Sequence, residues 1–463
     1  MKLRYAPPWI ALLVFISGVV AGALVYRPDK TIRVVTGLAA KTLCSDVFVS
    51  GLDPETVYRE AVAARPGVER LAQNMHYVVD RARGAVSVDV FGRFVSQAVY
   101  RKGLGCMAVI GEGPVDASLP RDSAASRLLQ ADSAGPATVQ ASDPRLRAAL
   151  DSFFIEPAAP PHRWIRAVVV MRKGEVIGER YAPGIGVDTP LAGYSAAKSL
   201  ISTLVGILVR EGRLNVDSPA PVPAWSNPQD ARHRITLDNL LRMTSGLSIA
   251  QTGSGFDPAA RMLYTERDMA GYAESRPLVR APGVRWDYSD ASTLIVSRIV
   301  RDAVGGRATD VVEFARRELF DPLGMRTMVI EFDATGTPVG STAVLGSARD
   351  WARLGSLYAH NGVVNGRRIL PAGWAGYSAT PTLDTDYGAG FWTNAGDAPA
   401  AAGRMRAGMP RDALFASGTM GQRVYVMPTQ DVVIVRLGVT QQWPDFDILG
   451  DLGLIRVVLG GHS

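Results

Sequence analysis

Three patterns of hydrophobic and polar positions divide this chain. Residues 9–26, WIALLVFISGVVAGALVY, form an uninterrupted run of 18 uncharged, mostly apolar residues between Lys2/Arg4 and Arg27-Pro28-Asp29-Lys30. Such a run just spans a bilayer as a helix. Its basic start and the small residues Ala21-Gly22-Ala23 also fit a signal peptide. Both readings of residues 1–30 export the rest of the chain, and the apolar run continues past the small-residue site, which favours an uncleaved membrane anchor. Residues 31–115 read as a small module: a helical start, alternating Val86, Val88 and Val90, and a second β-like run near Gln97–Tyr100. Gly92 between the runs predicts a hairpin. Residues 116–146 shift to Ala, Ser, Asp and Pro without periodicity, which predicts a linker.

From residue 147 to 463 the pattern predicts one domain. Trp164–Met171 and Glu175–Tyr181 are β-rich around Arg172-Lys173-Gly174, a hairpin signature. Leu200, Ile201, Leu204, Val205 and Leu208 recur at helical spacing, and Gly212 marks the stop. Helical and loop segments follow to about residue 390, then an Ala/Gly/Pro-rich loop over 394–410. Gln422–Met427 and Val432–Leu437 read as closing strands, followed by a short apolar helix. Strands at both ends with helices between them predict an α/β (α+β) fold: one antiparallel sheet flanked by helices, with helical material inserted.

Composition narrows the classes. With 47% hydrophobic and 20% charged residues over 463, the chain is neither disordered nor collagen-like. The 50 basic against 44 acidic residues leave only +6, with no Lys/Arg-rich run, so a nucleic-acid partner is not expected. Six of the basic residues are lysines (2, 30, 41, 102, 173 and 198), and the other 44 are arginines. Cys44 and Cys106 form an even pair, which in an exported chain predicts a disulfide; two unlinked buried thiols are the alternative. Five scattered histidines and no ligand spacing predict no metal site.

Ser195-Ala196-Ala197-Lys198 opens the amphipathic helix. A serine there sits near free backbone N–H groups, and Lys198 lies one turn on along the same face. A serine hydroxyl needs a neighbouring base to become a nucleophile, and Ser-x-x-Lys supplies one; the bland alternative is that Ser195 merely caps the helix. Three further segments stand in order. They are Ile235-Thr-Leu-Asp-Asn-Leu-Leu-Arg-Met-Thr-Ser-Gly-Leu247, Pro282-Gly-Val-Arg-Trp-Asp-Tyr288-Ser-Asp290 and Phe415-Ala-Ser-Gly-Thr-Met-Gly421-Gln422. Together with Tyr194–Lys198 they resemble the class C β-lactamase-like serine hydrolases, a group including DD-peptidases, family VIII esterases and 6-aminohexanoate-dimer hydrolases. The resemblance covers about residues 150–460.

This resemblance implies a β-lactamase/transpeptidase-like fold with Ser195 as acylated nucleophile, Lys198 as its proton partner and Tyr288 as general base or relay. It also implies an oxyanion hole from the backbone N–H of Ser195 and one from the third motif, taken as Gln422, with Gly421 leaving room for the substrate carbonyl. The chain departs from the family pattern twice. Asp290 stands where asparagine is common, and Thr419 where lysine or histidine often begins the third motif. A missing cation and an added anion both oppose a tyrosinate, which predicts that neutral Lys198 takes the serine proton or that Tyr288 only relays it. No cofactor is implied. The expected function is an exported, periplasmic serine hydrolase acting on a small ester, amide or peptide-like substrate. A β-lactamase or DD-peptidase, or a non-catalytic envelope protein on the same fold, are the alternatives.

Overall fold

The computed structural model describes residues 28–111, 137–252, 257–442 and 448–460. The expected transmembrane anchor is corrected as far as the described residues reach: among them no helix is long and apolar enough to cross a membrane. The first helix described, α1 (Pro28–Cys44), has only 17 residues, carries Asp29, Lys30, Arg33 and Lys41, and falls short of the about 20 apolar residues that a bilayer requires. The run 9–26 itself lies outside the described residues.

The N-terminal module is α1 laid across an antiparallel meander of four strands, β1 (Met75–Asp80), β2 (Ala85–Val90), β3 (Arg93–Arg101) and β4 (Gly105–Val109), in that order. Val35, Ala39, Ala40 and Leu43 share one face of α1 and bury against Val86, Val88 and Ala98. The β2–β3 hairpin turns at Phe91 and Gly92, both in the left-handed region (φ 56° and 68°). A disulfide joins Cys44 at the end of α1 to Cys106 on β4, with Cα atoms 5.9 Å apart across 62 residues of chain. Closing a loop of that length stabilises the module by about 4 kcal/mol in the chain-entropy account.

The second unit begins earlier than its composition suggests. The Glu179 N–H donates to the Val139 carbonyl at 3.1 Å, so chain assigned to the linker already packs on the sheet by residue 139. Helix α2 (Pro144–Phe153) then starts from an Asp143 cap that accepts from the Arg145 N–H. Strands β5 (Ile165–Arg172) and β6 (Glu175–Tyr181) form the predicted hairpin, turning at Lys173 and Gly174 (φ 51° and 77°). After a short strand β7 (Leu191–Ala192) come α3 (Ala197–Arg210), α4 (Pro258–Thr265) and α5 (Asp290–Val304). Strands β8 (Val329–Ile330) and β9 (Val344–Gly346) complete a small sheet in the order β7-β9-β8, and α6 (Ala348–Ala359) follows. The chain returns through β10 (Trp392–Thr393), β11 (Leu414–Gly418), β12 (Gln422–Met427) and β13 (Val432–Gly438), and ends in α7 (Ile448–Val458). Within the expected loop over 394–410, Pro399–Arg406 is helical, begun by proline at its first turn.

The main sheet has the order β10-β11-β12-β13-β5-β6, antiparallel throughout. Its central strands read as continuous apolar runs because helices cover both faces. Val169, Val433, Val435 and Val424 point into a core shared with α3, α5 and α6. Their neighbours Val168, Val170, Ile434 and Tyr425 point into a second core with α2 and α7. At Gly355 of α6 a Cβ would stand 2.7 Å from Val433, so the helix lies close against the sheet.

Candidate active site

Ser195 lies in a single 3-10 turn, Tyr194–Ala196, that feeds α3. Tyr194 itself has a left-handed backbone (φ 45°), a conformation that costs a bulky residue about 1–3 kcal/mol. One helical turn on, Lys198 is buried, and its Nζ donates to Ser195 Oγ at 3.1 Å, to Asp290 Oδ1 at 2.5 Å and to the Ser341 carbonyl at 2.9 Å. Three acceptors match the three protons of an ammonium. Burial works against that charge, but the Asp290 carboxylate and Tyr288 outweigh it and hold Lys198 above the ordinary lysine range. That direction favours the ammonium over the neutral amine expected to take the serine proton.

Asp290 owes its place to two effects. It opens α5, where a carboxylate favours the positive helix end. Gln251 clamps it, accepting from the Asp290 N–H at 2.6 Å and donating to Oδ2 at 3.0 Å. Asp290 thus neutralises Lys198 from behind while Ser195 stands in front.

Tyr288 is half-buried, with Lys198 Nζ 4.8 Å from its ring centroid. The rings of Trp286, Tyr387 and Trp392 surround it at 6.1, 5.8 and 5.8 Å. Burial pushes the Tyr387 hydroxyl well above the usual tyrosine range, so it stays protonated beside Tyr288. The Ile235–Leu247 segment is the scaffold for this loop. Thr236 and Asn239 make a reciprocal capping box. Carbonyls of Met243 and Thr244 then accept from the N–H groups of Asp287 and Gly283, at 2.9 and 2.8 Å.

The third motif joins two strands beside the serine turn. Gly418 ends β11 against the serine turn: a Cβ there would be 2.2 Å from the Gly193 carbonyl. Gln422 starts the interior strand β12 opposite Gly418. Its side chain is spent on the Thr419 and Gly438 carbonyls and on the Gly438 N–H, at 3.1, 2.6 and 3.0 Å. Gly421 is a left-handed turn residue (φ 86°), and its carbonyl accepts from Arg436 at 2.6 Å. Both brace the turn, whereas Thr419 is exposed directly after the strand end that abuts Ser195. Sequence reasoning also missed Gln251 and Ser341, which carry no motif of their own.

Comparison with known proteins gives the family and the fold. Residues 166–455, more than half of the chain, match the Beta-lactamase family. A 6-aminohexanoate-dimer hydrolase from Paenarthrobacter ureafaciens is 29% identical over 308 residues, covering 61% of this chain and 73% of that protein. Among solved structures, a penicillin-binding protein homologue from Caulobacter crescentus superposes with a TM-score of 0.54 at 19% identity, covering 70% of this chain and 99% of that one. A family VIII carboxylesterase gives 0.52 at 15% identity, with 70% and 98% covered. The chain belongs to the Beta-lactamase family and is a serine hydrolase on the β-lactamase/transpeptidase-like fold.

Proposed function

We propose that this protein is an exported hydrolase that cleaves an ester or amide through an acyl-enzyme on Ser195. The observation that carries the reading is the Lys198 ammonium, whose one free-facing proton is held on Ser195 Oγ at 3.1 Å while Asp290 and Ser341 take the others. That contact stabilises negative charge on Oγ as it attacks the substrate carbonyl carbon. The Ser195 proton passes to the Tyr288 oxygen as the Tyr288 phenol proton passes to the leaving oxygen or nitrogen, so the tyrosine relays without ending as an anion. Collapse of the tetrahedral adduct breaks the carbon–leaving-group bond. Water then repeats the sequence in reverse, returning a proton to Ser195 and releasing the acid. The backbone N–H groups of Ser195 and Thr419 would hold the oxyanion, a donor pair in which each member contributes about 3 kcal/mol.

Thr419 supplies no cation for the carboxylate of a penicillin-like acyl donor, which supports another ester or amide. The relative named for hydrolysing a 6-aminohexanoate dimer supports an amide. The Cys44–Cys106 disulfide supports an oxidising, extracytoplasmic compartment. Intact-mass measurement after exposure to a fluorophosphonate, then to a panel of small esters, amides and β-lactams, tests the reading. A gain of one adduct in the wild type and none in Ser195→Ala is expected. An unlabelled wild type, or a variant labelled equally, would sink it, and trapping by β-lactams alone would replace it with cell-wall chemistry.

A further inference from the structure

The N-terminal module lies outside the family match, yet it touches the residue before the nucleophile. Arg65, in the turn after the module's first helices, donates from Nη2 to the Tyr194 hydroxyl at 2.9 Å, and its guanidinium stands 5.2 Å over the same ring. Arg65 is itself fixed, because its Nε donates to the Ala61 carbonyl at 2.6 Å. Tyr194 holds the strained left-handed backbone that turns Ser195 toward Lys198. Such a conformation persists only when its surroundings over-determine it. Tyr194 also lines a cavity of about 60 Å³ between the module and the hydrolase domain.

Two further anchors stop the module from sliding. Arg166 of β5 faces Asp46 at 3.3 Å and Glu60 at 3.9 Å. Glu331 of the hydrolase domain accepts from Ser45 at 3.0 Å and from the Cys106 N–H at 2.6 Å. A Cβ on Gly105 would stand 2.5 Å from the Glu331 side chain, so the fit at this anchor is close.

We infer that Arg65 is a positioning residue for the hydrolase: through Tyr194 it holds the nucleophile turn, so the module completes an active site to which it contributes no reacting atom. This rests on Ser195 being the nucleophile. The separation between module and chemistry lets the inference fail without that reading failing.

The test is a double-mutant cycle on the fluorophosphonate acylation rate, using Tyr194→Phe, Arg65→Ala and the pair. Tyr194→Phe removes one oxygen and leaves the ring packed. Each single variant is expected to acylate about ten-fold more slowly, the size of one charge-assisted hydrogen bond. The pair should be no slower than the worse single, because both remove the same contact. Arg65→Lys should recover part of the rate. Thermal unfolding of Tyr194→Phe should stay within about two degrees of the wild type. Wild-type acylation rates in folded Tyr194→Phe and Arg65→Ala would overturn the inference, as would losses that multiply in the pair. If the wild type itself is not labelled while folded, it is the nucleophile reading that fails.

Discussion

Two lysine–carboxylate pairs with buried carboxylates, one at the module interface and one in the hydrolase core, use the same chemistry for different ends. Lys41 meets Glu331, and Glu331 also accepts from Ser45 and the Cys106 N–H. Each partner in that cluster belongs to the scaffold, and Lys41 keeps 16% of its side chain in solvent. Lys198 meets Asp290 with its side chain only 2% exposed, and one of its three hydrogen bonds goes to a half-buried serine oxygen. Burial and pairing do not distinguish structure from catalysis. The difference is whether one contact ends on an atom that can react.

The sharpest way to break this comparison is to delete each amine. Lys198→Met should lower turnover of the best substrate by on the order of a thousand-fold or more, as loss of a group acting with the nucleophile does. Lys41→Met should keep it within about three-fold, since its contacts carry no reacting atom. Lys198→Met retaining a tenth of the rate would erase the distinction.

Removing the carboxylate at the interface should instead cost stability. Glu331→Ala leaves the Cys106 N–H unpaired and Lys41 without its carboxylate, and about 3 kcal/mol of unfolding free energy should disappear, read from the urea midpoint. An unchanged midpoint would mean that the module docks without this cluster.

Asp290→Asn sharpens the comparison through pH. The carboxylate raises the Lys198 pKa against burial, so asparagine lets burial win and the pKa falls. If the ammonium is the active form, acylation is lost as pH rises through that pKa. The alkaline limb of the rate profile should then move to lower pH in Asp290→Asn. A profile that instead rises toward alkaline pH in the variant would make neutral Lys198 the base. The smallest expected effect is on the stability of Lys41→Met. Part of that amine is already solvated, and the loss should be about 1 kcal/mol by denaturant melt.

Several elements could be read directly from the chain. The β5–β6 hairpin announces itself in Lys173-Gly174, and α3 in the spacing of Leu200, Leu204 and Leu208. Both are local patterns that solvent and backbone geometry impose within a few residues. The module's outer strands were less readable. Gly105–Val109 is short and almost wholly buried, so it shows no alternation, and Met75–Asp80 alternates only weakly. At the site, Ser195, Lys198 and Tyr288 carry recognisable neighbours. Gln251 and Ser341 do not, and their partners are 39 and 143 residues away.

Sequence alone therefore determined the family, the serine–lysine register on one helix face, and the replacement of asparagine by Asp290. Tertiary structure decided the surroundings of Lys198, because only folding brings Asp290 and Ser341 to it across 92 and 143 residues. It likewise set the Gln422 side chain on Gly438 and put Arg65 on Tyr194 from 129 residues away. Local periodicity is set by the backbone, whereas a buried charge is defined by whatever distant groups the fold closes around it.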